Sequence, residues 1–440
     1  MMSYIKKLIY GLLVLGMVQV NAQEVLTKQE AVQRALEHNY GIKIANNNVE
    51  VAKNNSSVFN TRHLPTLSTS AGANYNKSNQ DITRQDGSNT NVTGAETKSY
   101  NASINLNYTI FDGLGRKYNY KQLKETQSLT ELQARETIEN TYLQMFTVYF
   151  QIAQLSENTK NLKTALNISN QRLQRARYQY DYGQSTRLEV LNAEVDVNND
   201  SINYISSQQQ FKNAKRGLNV ILGGNQNINY SVETNVNFVE LLSLDELLNN
   251  AKSNNVTLKQ NDKNILISQY NIRANKANYL PTIGLSSSYG WNKSINPSTS
   301  FLAESSTNGL NTGLNLSWNL FDGGTTKTRV ANAKIALENQ QILKEQQVQT
   351  IESTLINAWE DYNNKLFIFK AQEKNVITAT DNFNRTDEHY KLGQVSSIEF
   401  RQSQINLLNS QTALNTAKYN AKLKELELLQ LAGELLNTAF

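Results

Sequence analysis

Four segments of the chain alternate apolar and polar residues with a period of two. The apolar positions run from Leu67 to Tyr75, from Tyr100 to Ile110, from Ile283 to Trp291 and from Leu310 to Leu320. Such alternation predicts four β-strands, each with one apolar face and one face rich in Asn and Ser. These strands pair as β-hairpins over residues 66–111 and 282–321.

The length of these strands indicates where they lie. Each runs about ten residues, which is the length that crosses a lipid bilayer when the strand is tilted. Aromatic residues such as Tyr75 and Trp291 lie near strand ends, as in the girdles of outer-membrane barrels. We therefore expect the strands to span a membrane. A soluble hairpin that buries one face in a protein core is the alternative.

A helical period replaces the alternation after each hairpin. The stripe that shows it best consists of Ile138, Tyr142, Met145, Tyr149 and Ile152, and Leu155, Leu162, Leu166 and Leu173 extend it. Steps that alternate between three and four residues are typical of coiled coils. The pattern therefore predicts long helices that pack side by side.

Two long segments without proline carry this period. Residues 116–182 and 325–392 each predict one helix about 100 Å long, at 1.5 Å per residue. Gly183 and Gly393 come next, and glycine in the left-handed conformation commonly ends a helix. Return helices are then predicted over residues 185–223 and 395–433.

The chain contains an internal repeat. Leu64–Ser68 is echoed 216 positions later by Leu280–Gly284, and residues 104–113 are echoed 210 positions later by residues 314–323. Pro65 and Pro281 mark equivalent helix-to-strand junctions, because proline disfavours helix at the residue before it. One unit is therefore used twice, over residues 23–223 and 242–440, with a polar linker over residues 224–241.

The first residues predict a targeting segment. Lys6 and Lys7 precede an apolar run from Leu8 to Val20, and small residues end at Ala22. This pattern is typical of a secretory signal peptide over residues 1–22. An uncleaved anchor is the less favoured alternative, because the run is shorter than the roughly 20 residues of a spanning helix.

Composition excludes several functions. The net charge is only +5, and acidic and basic residues are interleaved along the chain, so we expect no nucleic-acid binding. The chain has no cysteine and only His38, His63 and His389, so we expect no metal or other cofactor. No nucleophile has a base beside it, and no phosphate-binding loop is present, so we expect no enzyme. Mean hydropathy is −0.54, which excludes a bundle of membrane helices.

Four membrane strands cannot close a barrel, since the smallest single-chain barrels use eight. An open sheet edge in lipid would leave backbone groups without hydrogen bonds. We therefore expect two, three or four copies of the chain to form one barrel together. The same closure would hide the narrow apolar stripes of the helices.

The repeated Leu-Pro-Thr junction at Pro65, the Phe-Asp-Gly turn after each hairpin and the Tyr-x-x-Gly-Gln tip together resemble the TolC family of outer membrane efflux proteins. The resemblance implies an α+β fold in which antiparallel coiled-coil hairpins form a periplasmic α-barrel. It also implies a homotrimer, in which four transmembrane strands per chain close as one twelve-stranded β-barrel in the outer membrane. The periplasmic adaptor and an inner-membrane transporter of the RND, ABC or MFS type are the implied partners, alongside outer-membrane lipid.

The resemblance implies passive conduction in drug efflux or type I secretion. It also implies a gate at the helix tips, which here lie at Gly183 and Gly393. It carries acidic gate positions onto Glu189 and Glu399, and a tip tyrosine onto Tyr390, with a hydrogen bond between Glu189 and Tyr390 in the closed state. Two positions depart from the family pattern. Val395 occupies the position of a gating arginine, and Gln402 occupies the position of a second aspartate. The substitutes nearest in sequence are Arg187 and Arg401. The alternative for the two glutamates is an ordinary solvated helix cap.

A second function class stays open on the sequence alone. The same pattern fits a secreted structural or adhesin-like coiled-coil oligomer whose strand pairs are ordinary hairpins. The cargo also stays open, among drugs, metals, lipids and polypeptides.

Overall fold

A computed structural model describes residues 24–224, 230–239 and 243–438. The predicted signal peptide and part of the predicted linker lie outside these ranges. The helices and strands follow in the order β1 (Glu24–Leu26), α1 (Lys28–His38), α2 (Tyr40–Asn55), β2 (Thr66–Thr83), β3 (Asn89–Asp112), α3 (Gly115–Asp181), α4 (Arg187–Ile221), β4 (Tyr230–Val232), α5 (Leu244–Asn254), α6 (Val256–Lys276), β5 (Thr282–Ile295), β6 (Glu304–Ser317), α7 (Thr325–Lys391) and α8 (Ser397–Ala432).

The chain divides into two compact units. The first unit contains the described residues up to Asn46, together with Gln133–Leu258 and residues 347–438. The second contains Asn47–Leu132 and Lys259–Gln346. The four longer strands belong to the second unit, and the return helices α4 and α8 belong to the first.

The second unit holds a four-stranded antiparallel sheet in the order β2-β3-β5-β6. Its register places apolar residues opposite apolar residues: Ile104 faces Tyr289, and Leu285 faces Leu314. The predicted alternation is confirmed, because Asn105 faces Ser288 on the other side of the pleat. One sheet face is therefore apolar, and its leucines are largely exposed within the chain, with Leu314 71% exposed.

The strands are longer than the sequence predicted. β2 has 18 residues and β3 has 24, and β3 pairs with β5 only from Lys98 onward. Residues 76–97 therefore continue as a ribbon of two strands joined by a turn. Asn, Ser and Thr fill this ribbon, so the period-two signal of apolar residues fades there although the backbone ladder continues.

Each long helix and its return helix run antiparallel, as predicted. α3 ends at Asp181 and α4 begins at Arg187. Hydrogen bonds between Thr159 and Ser207, and between Ser169 and Asp200, show the opposite directions of the two helices. The Tyr390 ring stacks on Phe400, which joins α7 to α8 in the same sense. The return helices begin two residues later than predicted, because Thr186 and Ser396 are their N-caps.

Aromatic side chains of α3 form the main core of the first unit. Met145, Phe146, Tyr149 and Phe150 have no exposed surface, and Phe150 stacks on Tyr419 of α8. Further along α3 the most buried positions within the chain are not those of the predicted leucine stripe. The buried positions there are Ala165, Ser169, Arg172 and Ala176, whereas Leu155, Leu162, Leu166 and Leu173 are half-buried. Small and polar residues thus line that part of the seam.

A short parallel pair of strands in the first unit was not predicted. β1 pairs with β4, which lies inside the predicted linker. The Tyr149 hydroxyl donates to the Leu26 carbonyl at 2.7 Å and accepts from the Glu233 amide at 3.0 Å. Helix α1 follows β1 through a capping box of Thr27 and Glu30. Three-residue strands carry too little pattern to be recognised in sequence.

The repeat is visible in how the return helices end. Gly223 and Gly433 both have positive φ. A Cβ atom on Gly223 would lie 2.4 Å from the His38 carbonyl oxygen, and one on Gly433 would lie 2.5 Å from the Asn254 carbonyl carbon. Equivalent glycines thus allow equivalent close approaches in the two repeats.

This geometry predicts unequal effects of two alanine substitutions at glycines that share a φ of 75°. Both Gly433→Ala and Gly393→Ala place an alanine in the left-handed conformation, which lowers stability by about 1–2 kcal/mol. Only Gly433→Ala adds a steric clash, because nothing lies within 4 Å of a Cβ at Gly393. We expect a clearly larger fall in apparent unfolding temperature for Gly433→Ala, measured in one detergent at one scan rate. Equal falls would contradict the close packing at Asn254.

Candidate functional site at the helix tips

The two helix tips have the same backbone geometry. The Gly183 amide donates to the Tyr180 carbonyl and the Gln184 amide to the Gln179 carbonyl. Gly393 and Gln394 repeat both bonds. These paired bonds form the Schellman motif, which needs a left-handed residue, and both glycines have positive φ. The predicted role of the two glycines in ending the long helices is therefore seen in the structure.

Glu399 caps the second return helix. It forms a capping box with Ser396, whose amide and hydroxyl donate to its carboxylate at 2.8 and 2.9 Å. The backbone hydrogen bond from Ser396, followed by the hydroxyl bond, lowers the pKa of Glu399. The side chain is exposed. Glu399 is thus a charged group at neutral pH that is held at the tip.

Glu189 occupies the equivalent place in the first repeat. Its carboxylate accepts a hydrogen bond from Ser185 at 2.7 Å, and both Glu189 and Arg187 are exposed. Thr186 makes no side-chain cap bond, so this helix start is held less firmly than the one at Ser396. Glu189 and Glu399 therefore both present carboxylates in the first turn of a return helix.

Tyr390 makes contacts other than the predicted one. Its ring stacks on Phe400 at 4.6 Å between centroids, and the Arg175 guanidinium lies over it at 4.9 Å. Arg175 also donates to the Lys391 carbonyl. The predicted hydrogen bond between Glu189 and Tyr390 does not form within this chain. The contacts of Tyr390 with Phe400 and Arg175 both involve its ring.

Arg401, in the second turn of α8, directs its guanidinium at two aspartates of α4. Its two terminal nitrogens lie 2.7 and 2.8 Å from the two carboxylate oxygens of Asp200, and its Nε lies 3.5 Å from Asp196. Arg172 of α3 also binds Asp196. Burial alone would lower the pKa of Arg401, but hydrogen bonding to Asp200, with the charges of Asp200 and Asp196, raises it overall.

Arg172, Asp196, Asp200 and Arg401 form one cluster with two positive and two negative charges, hereafter the buried ion network. Two neutral side chains complete it. Ser169 donates to Asp200 at 2.5 Å, and Gln404 accepts from Arg401 at 3.1 Å while donating to the Ala165 carbonyl. Ser169, Arg172, Asp200 and Gln404 are each at most 3% exposed, and the side chains of Arg401 and Asp196 are 16% and 24% exposed.

A cleft of about 450 Å³ lies beside this network, between the starts of the two return helices. Its lining is mixed: Glu189, Asp196, Ser396, Arg401 and Gln402 are polar or charged, and Leu188, Val195 and Ile398 are apolar. Gln402 is exposed and donates to Asn406. The cleft has charge and hydrogen-bonding groups but no nucleophile placed beside a base. The arrangement is therefore suited to contact with water, ions and polar cargo.

The helix-to-strand junctions lie in the second unit. Pro65 directly precedes β2, and Pro281 directly precedes β5. Where the chain leaves each hairpin, at the same end as the proline, Asp112 accepts from the Arg116 amide at 2.9 Å, and Asp322 accepts from the Thr326 amide at 2.7 Å. These aspartates cap the long helices. The prolines and aspartates thus have structural roles at the ends of the strands.

Sequence reasoning found Arg401 but missed its partners. Buried positions on α4 recur every seven residues at Ala193, Asp200 and Ser207. A charged residue at a core position of a coiled coil requires a buried partner. That signal points to Asp200 and, on α3, to Arg172, but the pairing itself needs the three-dimensional structure.

Two searches of the described residues bear on other chemistry. Over residues 24–224, 230–239 and 243–438, no three His, Cys, Asp or Glu side chains gather as a metal site would require. Among the helices of the same ranges, none is both long and apolar enough to cross a membrane.

The fold and its tips define a chain of two repeated helical hairpins, each joined to a β-hairpin with an apolar face. The model of the family described as outer membrane efflux protein matches residues 31–224 and 247–434. These matches cover most of the sequence, so the chain belongs to the outer membrane efflux protein family. The two matches confirm the predicted repeat. The family is one of transport proteins in the outer membrane rather than of enzymes.

Two relatives cover most of the chain at low identity. Outer membrane protein TolC of Escherichia coli (strain K12) is 21% identical over 386 residues, which are 84% of this chain and 75% of TolC. Outer membrane efflux protein BepC of Brucella suis biovar 1 (strain 1330) is 21% identical over 333 residues, 76% of this chain and 72% of BepC.

Solved structures share the fold. The Campylobacter jejuni CmeC outer membrane channel has a TM-score of 0.78 at 17% identity, covering 93% of this chain and 86% of its own. A structure of CusC has a TM-score of 0.75 at 16% identity and covers 95% of each chain. The predicted α+β architecture of helical hairpins and membrane-type strands is thereby confirmed.

Proposed function

We propose that the chain is one subunit of a homotrimeric exit duct in the outer membrane, which conducts substrates passively from an inner-membrane transporter to the exterior. The observation that carries this proposal is the sheet of four antiparallel strands with an exposed apolar face and an opposite face of Asn and Ser. Lipid would cover the first face, and the second would line a water-filled pore.

Three copies account for the open edges of this sheet. The strands β2 and β6 are its outer members, and their outer edges have no neighbouring strand among the residues that the structure describes. Backbone groups at such edges cannot stay unpaired in lipid. Twelve strands from three chains would close the barrel and enclose a polar lumen. The helical hairpins would close in the same way as a periplasmic α-barrel.

The partners follow from the proposed passive role. A duct without an energy source of its own needs a periplasmic adaptor and an inner-membrane transporter of the RND, ABC or MFS type. The cleft and the Schellman tips lie where the hairpins would meet such an adaptor. The relatives named TolC and BepC support the outer-membrane location of the duct through their description as outer membrane proteins.

The helix tips would be the gate. Glu189 and Glu399 are exposed in the first turn of the return helices, and Tyr390 lies against Phe400 beside them. In a trimer each glutamate would occur three times around the axis. Rings of carboxylates favour cations in a narrow pore. Arg187 and Gln402 would modulate this field from neighbouring exposed positions.

Replacing both tip glutamates tests that field. We expect Glu189→Gln with Glu399→Gln to reduce cation preference, measured as a reversal potential closer to zero in a salt gradient across a planar bilayer. Glu345→Gln, at an exposed position of α7, is the matched control and is expected to change little. A tip variant with unchanged selectivity would remove the glutamates from the gate.

The native mass of the detergent-extracted protein tests the assembly. Light scattering with the detergent contribution subtracted is expected to give three chains. A monomer in mild detergent, or a protein that leaves the membrane fraction with salt alone, would overturn the duct and favour the secreted coiled-coil oligomer instead.

A further inference from the structure

Three lysines occupy matching positions beside aromatic residues of the sheet. Within strands β2, β3, β5 and β6 as the structure describes them, lysine occurs only at Lys77, Lys98 and Lys293, hereafter the lysine triad. Each lysine is two positions away from an aromatic residue of its own strand, and these residues are Tyr75, Tyr100 and Trp291. Side chains two positions apart lie on one face of a sheet, about 7 Å from each other. The same pair of lysine and aromatic residue is therefore repeated on three neighbouring strands.

The strand register brings the triad into one patch on the apolar face. Lys98 of β3 faces Tyr75 of β2, and Tyr100 of β3 faces Lys293 of β5. Tyr100 is an even number of positions from Ile104, so both belong to the apolar face. The opposite face, which is rich in Asn and Ser, carries none of the three lysines. The triad therefore points in the direction in which the proposed barrel meets lipid.

The triad lies toward the end of the sheet that is remote from the helices. The chain enters the two hairpins after Pro65 and Pro281, and it turns back at residues 84–88 and 296–303. All three lysines are in the half of their strand that is nearer to these turns. With the helical hairpins in the periplasm, the turns face the exterior. Aromatic girdles mark the interfaces of a membrane barrel, so lysines just beyond the girdle lie among the lipid headgroups of the outer leaflet.

The apolar face is asymmetric between its two ends. At the end near the helices it carries Leu67 opposite Leu106, and Ile283 opposite Leu316, with no lysine or arginine in the strands. A lysine stem can cover apolar surface while its ammonium reaches the polar layer, but this need is the same at both interfaces of a membrane. Lysines at one interface only indicate an anionic group that is concentrated in one leaflet.

The ammonium groups of the triad are accessible to such an anion. Lys77 Nζ lies 3.3 Å from Glu96 and Lys293 Nζ lies 2.7 Å from Glu304, with the two lysine side chains 57% and 33% exposed. Lys98 is also exposed. Exposed ion pairs contribute little to stability, so phosphate oxygens can replace the carboxylate oxygens. Carboxylates and phosphates also share divalent cations through their oxygens, so the two glutamates are compatible with a phosphate layer.

We propose that the lysine triad binds the phosphate groups of a lipid headgroup in the outer leaflet, while Tyr75, Tyr100 and Trp291 contact the lipid where its headgroup meets the acyl chains. The inference rests on the proposed duct for the orientation of the sheet. It goes beyond the duct by assigning a lipid-binding site and the chemical class of the lipid.

The direct test is the binding of lipid A, a glycolipid that carries phosphate groups, to the detergent-extracted trimer, measured by native mass spectrometry over a range of lipid concentrations. We expect saturable binding to the unsubstituted protein and much weaker binding of lipid A from which the phosphates have been removed. Lys77→Gln with Lys98→Gln and Lys293→Gln is expected to lower the apparent affinity for lipid A about tenfold or more, because lysines near a membrane surface attract anionic lipid. Equal binding of the two forms of lipid A would overturn the proposal.

Lys334→Gln with Lys370→Gln and Lys374→Gln is the matched control. These lysines are exposed on α7, so the triple substitution removes the same charge away from the sheet. We expect its affinity for lipid A to equal that of the unsubstituted protein. An equal fall in both triple variants would reduce the effect to net charge and overturn the specific role of the triad.

Two further variants keep the test decisive. Lys77→Arg with Lys98→Arg and Lys293→Arg retains the charges and is expected to retain lipid A. Lys98→Gln alone leaves both lysine-glutamate pairs in place and covers the case in which the triple glutamine variant does not assemble. We expect a smaller fall in affinity for Lys98→Gln, and an unchanged affinity would contradict the proposal.

The remaining outcomes separate the sources of phosphate and the two proposals. Inorganic phosphate at millimolar concentration is expected to leave lipid A bound, and full displacement would assign the triad to a free anion instead of a lipid. A trimer that conducts in planar bilayers but does not distinguish the two forms of lipid A would overturn the triad and leave the duct intact. An unsubstituted protein that is monomeric and does not conduct would overturn the duct and, with it, the orientation on which this inference rests.

Discussion

Replacing Leu314 by arginine will prevent stable assembly in the outer membrane. Leu314 lies in the second half of β6 on the apolar sheet face, opposite Leu285, and is 71% exposed within the chain. An arginine that faces lipid costs about 2–4 kcal/mol at the bilayer midplane and less toward the interfaces. The proposed trimer would carry three of them. We expect the amount of trimer extracted from outer membranes by detergent to fall to a small fraction of that of the unsubstituted protein.

Asn315→Arg is the control, one residue further along the same strand. Asn315 faces Gly284 on the polar side of the sheet, where an added charge would meet water in the lumen. We expect near-normal trimer and an altered ion selectivity. Equal loss of trimer in both variants would mean that the two faces do not differ in surroundings, which contradicts a lipid-facing sheet.

Tyr149→Ala will cause a large loss of stability in the first unit. The ring is fully buried among Phe146, Phe150 and their neighbours. Removing a buried aromatic ring costs about 3–5 kcal/mol. The hydroxyl also joins β1 to the segment after β4, so its loss leaves two backbone groups without their partner. We expect a large fall in apparent unfolding temperature and exposure of the segment after β4 to protease.

Tyr149→Phe separates the two contributions. It keeps the ring and removes the hydroxyl, so the loss should be about 1–3 kcal/mol from unpaired backbone groups. Protease cleavage after β4 is expected in both variants, since both lose the hydroxyl bonds. A Tyr149→Phe protein as resistant as the unsubstituted one would show that the hydroxyl does not hold this segment.

The sequence predicts the fold well wherever a period extends over many residues. The four strands and the two helices of 67 residues are each long enough for the apolar pattern to show. Duplication helps, because Pro281 and Gly393 repeat the signals of Pro65 and Gly183. Periodicity and repetition therefore carry the architecture and the positions of the tips.

The sequence predicts contacts between elements poorly. β1 and β4 have three residues each and pair across about 200 positions of chain. The buried ion network joins residues from three helices, and no local pattern relates Arg401 to Asp200. Tyr390 was expected to bond through its hydroxyl, yet its ring stacks on Phe400. Such contacts depend on how helices rotate against each other, which periodicity does not specify.

Single-channel recording of the purified protein in a planar bilayer tests the central claim most directly. The duct predicts discrete and reproducible conductance steps, with one insertion unit corresponding to one trimer. Leu314→Arg should then lower the frequency of insertion events. A detergent-purified trimer that produces no discrete steps at any protein concentration or voltage would contradict the account.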